Sequence, residues 1–268
     1  MTGIENTTLY NEDMKGISTD NASFEFFRKN DVLYVDKTEF IYKLLCAWPR
    51  RFFFVSRPRR FGKSLFCNSL ESLFKGEKEL FKGLYIYDKY DFKPYPVLHF
   101  DFNNMDADSI EDFIKALKGK ILLQAGNAGI DIDSSYGPAM MFEMLIERLY
   151  RRDGEIVIIQ DEYDAPLTSA AIGNPEMAEG IRKTLNSFYA TIKNKAGMIR
   201  FCFITGVVKL SNLSIFSAMN NLVDLSMDKE FAGAFGYTDE ELDEYFGEGI
   251  DEYLEANPGK YKSREEFR

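Results

Sequence analysis

The sequence is poor in the residues that support several common kinds of site. Its 268 residues include three cysteines and one histidine. Cys46, Cys67 and Cys202 are widely spaced among apolar residues, which predicts buried free thiols and neither a disulfide framework nor a zinc site. His99 would have to serve any Ser-His-Asp or Cys-His catalysis. It lies inside an apolar stretch without a nucleophile motif, which favours a structural role.

Long apolar runs, internal repeats and low-complexity tracts are also missing. No apolar run approaches the roughly eighteen residues that a membrane helix requires. The first residues, MTGIENTTLYNEDM, lack the basic and apolar regions of a signal peptide. We therefore expect a cytoplasmic protein without a membrane segment. A hydrophobic content of 45%, with 15% aromatic residues, indicates a globular chain with a substantial core.

Positive charge is scarce except in one stretch. The formal net charge is −10, which disfavours a protein whose whole surface binds nucleic acid. Residues 224–255 carry many carboxylates and a single basic residue, Lys229. A cluster of basic residues without an acidic one among them comprises Arg50, Arg51, Arg57, Arg59, Arg60 and Lys63. The sequence therefore predicts one local basic site in an acidic protein.

Four parts of the chain are distinguished by their residue patterns. They are a polar tail (1–16), an N-terminal segment that packs on the core (17–50), the core itself (51–230) and the start of a truncated C-terminal helical region (231–268). Asp36 and Glu39 have the spacing of a capping box, which predicts a helix from Asp36 to about Trp48. Thr238 and Glu241 have the same spacing before an acidic amphipathic helix.

Five short apolar runs alternate with helical patterns along the core. The predicted strands are Phe52–Val55, Val97–Phe102, Glu155–Gln160, Arg200–Ile204 and Leu222–Leu225. Strands separated by helical or long connections are typical of an α/β fold with a parallel sheet covered by helices on both faces. The run EIVIIQ is the most strand-like, because a parallel sheet buried on both faces favours continuous apolar strands.

The stretch FFFVSRPRRFGKSL, from Phe52 to Leu65, reads as strand, phosphate loop and helix. Gly62, Lys63 and the helix that opens at Ser64 offer the unobstructed N–H donors, the cation and the positive helix end that a phosphate group needs. The usual pattern G-x-x-x-x-G-K-[ST] has its first glycine where this chain has Arg57. The predicted nucleotide-binding residues are Arg57, Pro58, Arg59, Arg60, Phe61, Gly62, Lys63, Ser64 and Leu65.

A second group of polar residues follows two later strands. Asp161 and Glu162 come directly after EIVIIQ, and Thr205 ends the next strand. Carboxylates at the carboxyl end of a parallel sheet lie where such sheets bind ligands. We expect Ser64 and Asp161 to hold Mg²⁺, Lys63 to contact the β- and γ-phosphates, and Glu162 to activate water. Thr205 would hydrogen-bond the γ-phosphate or that water.

The roles of the loop arginines stay open at this point. Arg57, Arg59 and Arg60 would either bind phosphate in the ground or transition state, or pair with Asp161, Asp164 or the acidic C-terminal segment. Both alternatives suit the positive charge and forked donors of a guanidinium group.

Six blocks in order along the chain carry a family resemblance. They are YVDKTEFI at 34–41, SRPRRFGKSL at 56–65, YPVLHFDF at 95–102, IIQDEYDAP at 158–166, FITGVVKLS at 203–211 and SIFSAMNNLVDLS at 214–226. Together they resemble the bacterial predicted AAA-ATPase (AAA-ATPase-like) family over roughly residues 15 to 245. The loop of that family normally reads RPRRFGKS, so Arg57 fits its pattern. The resemblance assigns Lys63 and Ser64 to the phosphate loop, Asp161 and Glu162 to the second acidic motif, and Thr205 to a sensor.

The resemblance implies a P-loop nucleoside triphosphatase fold with sheet order 5-1-4-3-2. It also implies ATP and Mg²⁺ as cofactors. Relatives commonly continue into a C-terminal domain that resembles PD-(D/E)xK nucleases, and we expect this chain to hold the ATPase region without it. ATP hydrolysis would then act as a switch on a C-terminal domain or on a protein partner.

Three other functions are compatible with the motifs. A scaffold would hold ATP or ADP without turnover, its irregular loop having exchanged catalysis for stable domain association. A nucleoside or small-molecule kinase would use the basic loop and Glu162, although no acceptor site or lid is evident. Direct nucleic-acid binding through Arg50 to Arg60 is opposed by the overall charge and by the nearby phosphate loop.

Overall fold

The structure is a computed structural model that describes residues 15–18, 21–103, 105, 107–171, 174–208, 219, 221–261 and 263–267. Most of the predicted polar tail lies outside the described residues. So do positions 209–218 and 220, most of which fall in the last two blocks of the family resemblance.

Helices and strands alternate through most of the described chain. In order, the elements are α1 (Phe24–Lys29), α2 (Thr38–Cys46), β1 (Phe52–Ser56), α3 (Lys63–Phe74), β2 (Val97–Asp101), α4 (Ile110–Asn127), α5 (Pro138–Asp153), β3 (Ile156–Asp161), α6 (Ala165–Ala171), α7 (Pro175–Asn194), β4 (Ile199–Gly206), β5 (Val223–Asp224), α8 (Asp239–Ala256) and α9 (Arg264–Phe267). Short 3₁₀ helices occupy Lys78–Phe81, Ala196–Met198 and Lys229–Ala234.

The five strands form one parallel sheet in the order β2-β3-β4-β1-β5. This is the predicted order 5-1-4-3-2 read from the other edge, so the predicted fold is confirmed. The strand β4 separates β1, which leads into the phosphate loop, from β3, which ends in the acidic motif. All strands run in the same direction, so their carboxyl ends meet at one edge of the sheet.

Successive side chains of each central strand enter two different cores. Phe54 and Ile158 pack with residues of α4, α5 and α7, whereas Phe53 and Ile159 pack with residues of α1, α2 and α3. The two-residue period of a strand explains this division. The stacked rings of Phe142 and Phe188, 4.3 Å apart, hold α5 against α7 in the first core. Helices therefore cover both faces, as the continuous apolar strands predict.

The predicted capping box at the start of α2 is wrong. The helix begins at Thr38 without a side-chain cap. Asp36 instead accepts hydrogen bonds from the backbone N–H groups of Thr38 and Tyr85, at 2.8 and 2.7 Å. Glu39 pairs with Lys43 one turn along the helix. The Asp36 carboxylate, which the local pattern assigned to a helix cap, thus binds the backbone of Tyr85 in the chain after α3.

The predicted capping box at the start of α8 is present. Thr238 accepts from the backbone N–H of Glu241, and the Glu241 carboxylate accepts from the backbone N–H of Thr238. The same carboxylate lies 2.6 Å from Nζ of Lys37, which also donates to the carbonyl oxygen of Gly233. Glu241 therefore both caps α8 and ties it to the turn before α2.

Several local features differ from the sequence-based expectations. The helix α6 follows the acidic motif directly and was not predicted. The N-terminal segment contributes an isolated bridge between Val32 and Gly16. Cys67 and Cys202 are buried as expected, but Cys46 is exposed. Across the described ranges, no helix combines the length and apolar character needed to cross a membrane.

His99 joins β2 to α3 through its side chain. Its Nδ1 atom lies 2.6 Å from Oε2 of Glu71. Burial raises the pKa of Glu71, but the hydrogen bond and charge of His99, together with Lys75, outweigh this and lower the pKa to about 2. The glutamate is therefore ionised at neutral pH, and this contact is structural, as the surroundings of His99 in the sequence suggest.

Candidate functional site

The phosphate loop connects β1 to α3 at the carboxyl edge of the sheet. Gly62 adopts a left-handed conformation with φ of 80° and precedes the first residue of α3 without a side-chain cap. Within the described residues, the consecutive backbone N–H groups from Arg59 to Ser64 donate no hydrogen bond. A row of unpaired N–H groups at a helix N-terminus is suited to bind an anion.

Lys63 reaches from the loop towards the acidic motif on β3. It is 4% exposed, and its Nζ atom lies 3.2 Å from the carbonyl oxygen of Pro58. The same atom lies 3.4 Å from Oε1 of Glu162. A buried lysine needs compensating partners because the interior solvates charge poorly. The ion pair with Glu162 supplies one, and it brings the two predicted halves of the site together.

Ser64 and Asp161 also meet. The side chain of Ser64 lies close enough to the carboxylate of Asp161 to lower its pKa, and this carboxylate accepts a hydrogen bond from the backbone N–H of Glu162. Burial raises the pKa of Asp161, and the nearby charge of Asp101 adds to this, while the side chain of Ser64 and the backbone N–H of Glu162 oppose it. Asp161 is 3% exposed and has no salt bridge with a basic side chain among the described residues.

The oxygen atoms of Ser64 and Asp161 are chemically suited to Mg²⁺. This ion binds oxygen ligands and usually keeps several waters, so one or two protein ligands suffice. No group of three or more histidine, cysteine, aspartate or glutamate side chains in the described chain is arranged to hold a metal. The donor set thus fits a partly hydrated Mg²⁺ better than a metal held by protein ligands alone.

Glu162 has an unusual backbone conformation for a non-glycine residue, with φ of 49°. Such a conformation costs of order 1–3 kcal/mol and is often found at functional sites. Burial raises the pKa of the Glu162 carboxyl, Lys63 lowers it, and Asp161 raises it further, with a net increase. A carboxylate with a raised pKa is a stronger base than an exposed one.

Thr205 lies near the end of β4, between the loop strand and the acidic strand. Its side chain is fully buried, and its hydroxyl has no hydrogen-bond partner among the described residues. A buried hydroxyl without a partner costs about 1–3 kcal/mol, which marks it as a group kept for a ligand or a water.

Arg57 is directed towards the C-terminal part of the chain. Its Nη1 atom donates to the carbonyl oxygens of Ser56 and Ser226, and its guanidinium group lies 5.9 Å from the ring centroid of Phe235. Of the two roles left open, the structure thus shows a contact with the C-terminal segment, but to its backbone instead of its carboxylates. The position usually held by glycine is occupied by a residue that anchors the loop.

The other arginines of the loop are exposed. Arg59 and Arg60 form no salt bridge with Asp161 or Asp164 within the described residues. Arg60 has φ of 67°, a conformation that shapes the turn before Gly62. Pro58 and Phe61 are exposed as well, and the carbonyl oxygen of Phe61 accepts from the backbone N–H of Gly236.

Residues 18–216 match the family described as predicted AAA-ATPase. The chain belongs to this family. The predicted resemblance is therefore confirmed over most of the chain, including the loop and the acidic motif.

Two known proteins are similar to this member of the family. One is the "Uncharacterized protein in vnfD 5′ region" of Azotobacter chroococcum mcd 1, with 37% identity over 222 residues, or 81% of this chain. The chain spans 42% of the length of that relative. The other is the solved structure of the Aeropyrum pernix ORC2 protein in ADPNP-ADP complexes, with 13% identity and a TM-score of 0.39 over 70% of this chain and 44% of that one.

Two acidic residues near the site were not predicted to take part in its chemistry: Asp101 was assigned no role from the sequence, and Asp164 was considered only as a partner of the loop arginines. Asp101 ends β2 directly beside Asp161 in the strand register. Asp164, in contrast, accepts hydrogen bonds from the chain after β4. A carboxylate at the end of a strand was a sufficient signal to find Asp101, whereas the partners of Asp164 are 43 and 44 positions away.

Proposed function

We propose that this protein binds ATP with Mg²⁺ and hydrolyses it, and that turnover controls a C-terminal domain or a protein partner. The observation that supports this most directly is the meeting of Lys63 and Ser64 with Asp161 and Glu162 at one edge of the sheet. Lys63 is expected to bind phosphate, and Ser64 and Asp161 are expected to bind the metal. Glu162 is expected to bind the attacking water. Residues 97 and 99 positions apart in sequence thus form one site of complementary groups.

The phosphates would be bound by the chain from Arg59 to Ser64. Its unpaired N–H groups would donate to phosphate oxygens, and the N-terminus of α3 would favour their negative charge. Lys63 would exchange its contact with Glu162 for the β- and γ-phosphates, because a polyphosphate carries more charge than one carboxylate.

The metal would be held by the hydroxyl of Ser64 and the carboxylate of Asp161. When bound, Mg²⁺ supplies positive charge that stabilises the phosphate oxygens during phosphoryl transfer. The metal charge would also lower the raised pKa of Asp161. The effect of Ser64 on the pKa of Asp161 is consistent with two oxygen ligands that lie close together.

Glu162 would act as the general base. Once Lys63 contacts phosphate, the carboxylate is free to accept a proton from the attacking water, and burial strengthens it as a base. Thr205 would donate its unpaired hydroxyl proton to the γ-phosphate or to the water.

Control of another domain would act through the phosphate loop itself. Arg57 contacts Ser226, Phe61 contacts Gly236, and both partners lie in the segment that leads into α8. A conformational change in the phosphate loop would therefore be transmitted directly to the start of the C-terminal helical region. The greater length of the Azotobacter relative leaves room for a domain that such a change would move.

A second candidate is a scaffold that holds nucleotide without turnover. The contact between Arg57 and Ser226 favours it, since an anchored loop suits stable association of the C-terminal segment. The two functions differ in phosphate release. In the scaffold, ATP would protect the protein against heat while releasing no phosphate.

The test is phosphate release from ATP by the purified chain, with and without Mg²⁺. Release that needs Mg²⁺ and is lost in Glu162→Gln supports hydrolysis. Protection against heat without release, in wild type and variant alike, supports the scaffold. Transfer of phosphate to an added nucleoside in place of water would show a kinase and contradict both.

A further inference from the structure

The second half of the acidic motif has a different environment from the first. Asp161 and Glu162 face the phosphate loop, whereas Asp164 is 2% exposed and accepts from the backbone N–H groups of Val207 and Val208. The distances from Oδ2 are 3.1 and 2.6 Å. Its negative charge is thus satisfied by the backbone after β4.

Tyr163 contacts the same stretch. Its hydroxyl donates to the carbonyl oxygen of Val208 at 2.7 Å, and its backbone N–H donates to the carbonyl oxygen of Thr205 at 3.1 Å. The regular pairing of β3 with β4 ends at Gln160 and Ile204. Beyond that point, Tyr163 and Asp164 hold the backbone on both sides of Gly206.

Gly206 shows how close this contact is. A Cβ atom at this position would lie 2.2 Å from Oδ1 of Asp164 and 2.5 Å from the ring of Tyr163. Neither atom belongs to the far end of a flexible side chain, because the ring is buried and the carboxylate is bonded twice. The glycine after Thr205 is therefore explained by the close approach of these two side chains.

The contacts link the proposed base to the proposed sensor. Glu162 and Tyr163 are consecutive, and Tyr163 is bonded to the carbonyl of Thr205, whose buried hydroxyl has no partner in the described part of the chain. Moving the backbone at 205–208 would therefore move the hydroxyl relative to the Glu162 carboxylate. A displacement of about 1 Å at a reacting centre can lower a rate about a hundredfold.

We propose that Tyr163 and Asp164 are positioning residues that fix the Thr205 hydroxyl against the terminal phosphate, and so determine the preference for a triphosphate over a diphosphate. This inference rests on the proposed binding of ATP at the loop. The contacts of Tyr163 and Asp164 act on the end of β4, where Thr205 would contact the γ-phosphate. Binding of the α- and β-phosphates by the loop would therefore not depend on these contacts.

The test compares the dissociation constants for ATP and ADP, both with Mg²⁺, and kcat for phosphate release, in the full chain. The variants are Tyr163→Phe, which keeps the ring, Asp164→Asn, which keeps one acceptor oxygen, and Asp164→Ala. Tyr34→Phe is the matched control, because Tyr34 is another buried tyrosine with a hydrogen-bonded hydroxyl, in the other core.

We expect Tyr163→Phe and Asp164→Asn to weaken ATP binding about tenfold, with ADP binding unchanged within about twofold, and to lower kcat at least as much. Asp164→Ala should have a larger effect, and Tyr34→Phe none. An unchanged ratio of ATP to ADP affinity in Tyr163→Phe and Asp164→Asn would overturn this inference but leave the proposed function standing. A wild-type chain that binds neither nucleotide would overturn the proposed function, and the inference with it.

Discussion

The ammonium group of Lys63 lies 3.4 Å from Oε1 of Glu162, and the two side chains are 3% and 20% exposed. One residue belongs to the phosphate loop and the other to the end of β3, so this ion pair joins the two halves of the candidate site. It also means that the proposed base and the proposed phosphate ligand neutralise each other before nucleotide binds. Binding must therefore separate them.

The first prediction concerns Glu162→Gln. Because the amide cannot accept the proton from water, kcat should fall by about 10²- to 10⁴-fold. Lys63 loses a competing partner, so ATP should bind as tightly as to the wild type or more tightly. Steady-state phosphate release and calorimetry measure the two effects. Loss of affinity together with turnover would instead show that Glu162 helps to bind nucleotide.

The second prediction concerns the pH dependence of stability at Asp161. The pKa is raised in the folded state, mainly by burial. The ionised carboxylate therefore destabilises the fold at pH values above its folded pKa, and this penalty disappears as the pH falls below the ordinary aspartate value. Asp161→Asn should raise Tm at pH 7, by about 2–4 °C for each kcal/mol of penalty removed.

The difference in Tm between Asp161→Asn and the wild type should shrink towards zero as the pH is lowered. Asp133→Asn is the control, because Asp133 is exposed and its pKa is lowered, chiefly by the backbone hydrogen bond from Ser135. That variant should be no more stable than the wild type at pH 7. A lower Tm for Asp161→Asn at pH 7 would contradict the predicted penalty.

The third prediction concerns Arg57→Gly, which introduces the glycine of the usual phosphate-loop pattern. The variant loses the hydrogen bond to the carbonyl of Ser226, and hydrogen bonds to charged groups contribute about 1.5–3 kcal/mol. We expect a free energy of unfolding lower by about that amount and ATP affinity within about threefold of the wild type. A tenfold loss of affinity at unchanged stability would make Arg57 a phosphate ligand. Arg59→Ala, at an exposed position, should change stability by less than about 0.5 kcal/mol.

The fourth prediction concerns the contact between Lys37 and α8. Glu241→Gln keeps the capping box but removes the charge that faces Lys37 at 2.6 Å. The free energy of unfolding should fall by about 2 kcal/mol, since Lys37 is left with less compensation in a partly buried position. Glu39→Gln is the control, because its pair with Lys43 is exposed and should contribute less than about 1 kcal/mol. Equal effects of the two variants in a denaturant titration would refute this.

The positions of the strands along the chain and the location of the loop follow from local signals in the sequence, whereas the spatial order of the strands was implied by the family resemblance. Apolar runs such as EIVIIQ are buried on both faces, and Gly62 followed by Lys63 marks the change from loop to helix. These features depend on residues within a few positions of one another, so a short window of sequence is sufficient to recognise them. The proximity of Lys63 to Glu162 then follows from the topology.

What the sequence could not predict depends on contacts between distant positions. The partner of Asp36 is 49 positions away, at Tyr85, and that of Arg57 is 169 positions away, at Ser226. The first contact replaced a predicted cap, and the second ties Arg57 to the backbone of the C-terminal segment. Similarly, the motif at 161–164 divides into a pair that faces the loop and a pair that faces the end of β4. The residue types at positions 161–164 do not by themselves show this division.

The most direct test of the central claim is calorimetric titration of ATP with Mg²⁺ into the wild type and Lys63→Ala. Lys75→Ala is the matched control, because Lys75 follows the same helix, is itself exposed and forms an ion pair with Glu71. We predict binding to the wild type and to Lys75→Ala, and a loss of at least tenfold in Lys63→Ala, as expected for removal of a charged phosphate contact worth about 1.4 kcal/mol or more. Equal affinity of Lys63→Ala and the wild type, or no binding of ATP by either, would contradict the assignment of this loop to phosphate.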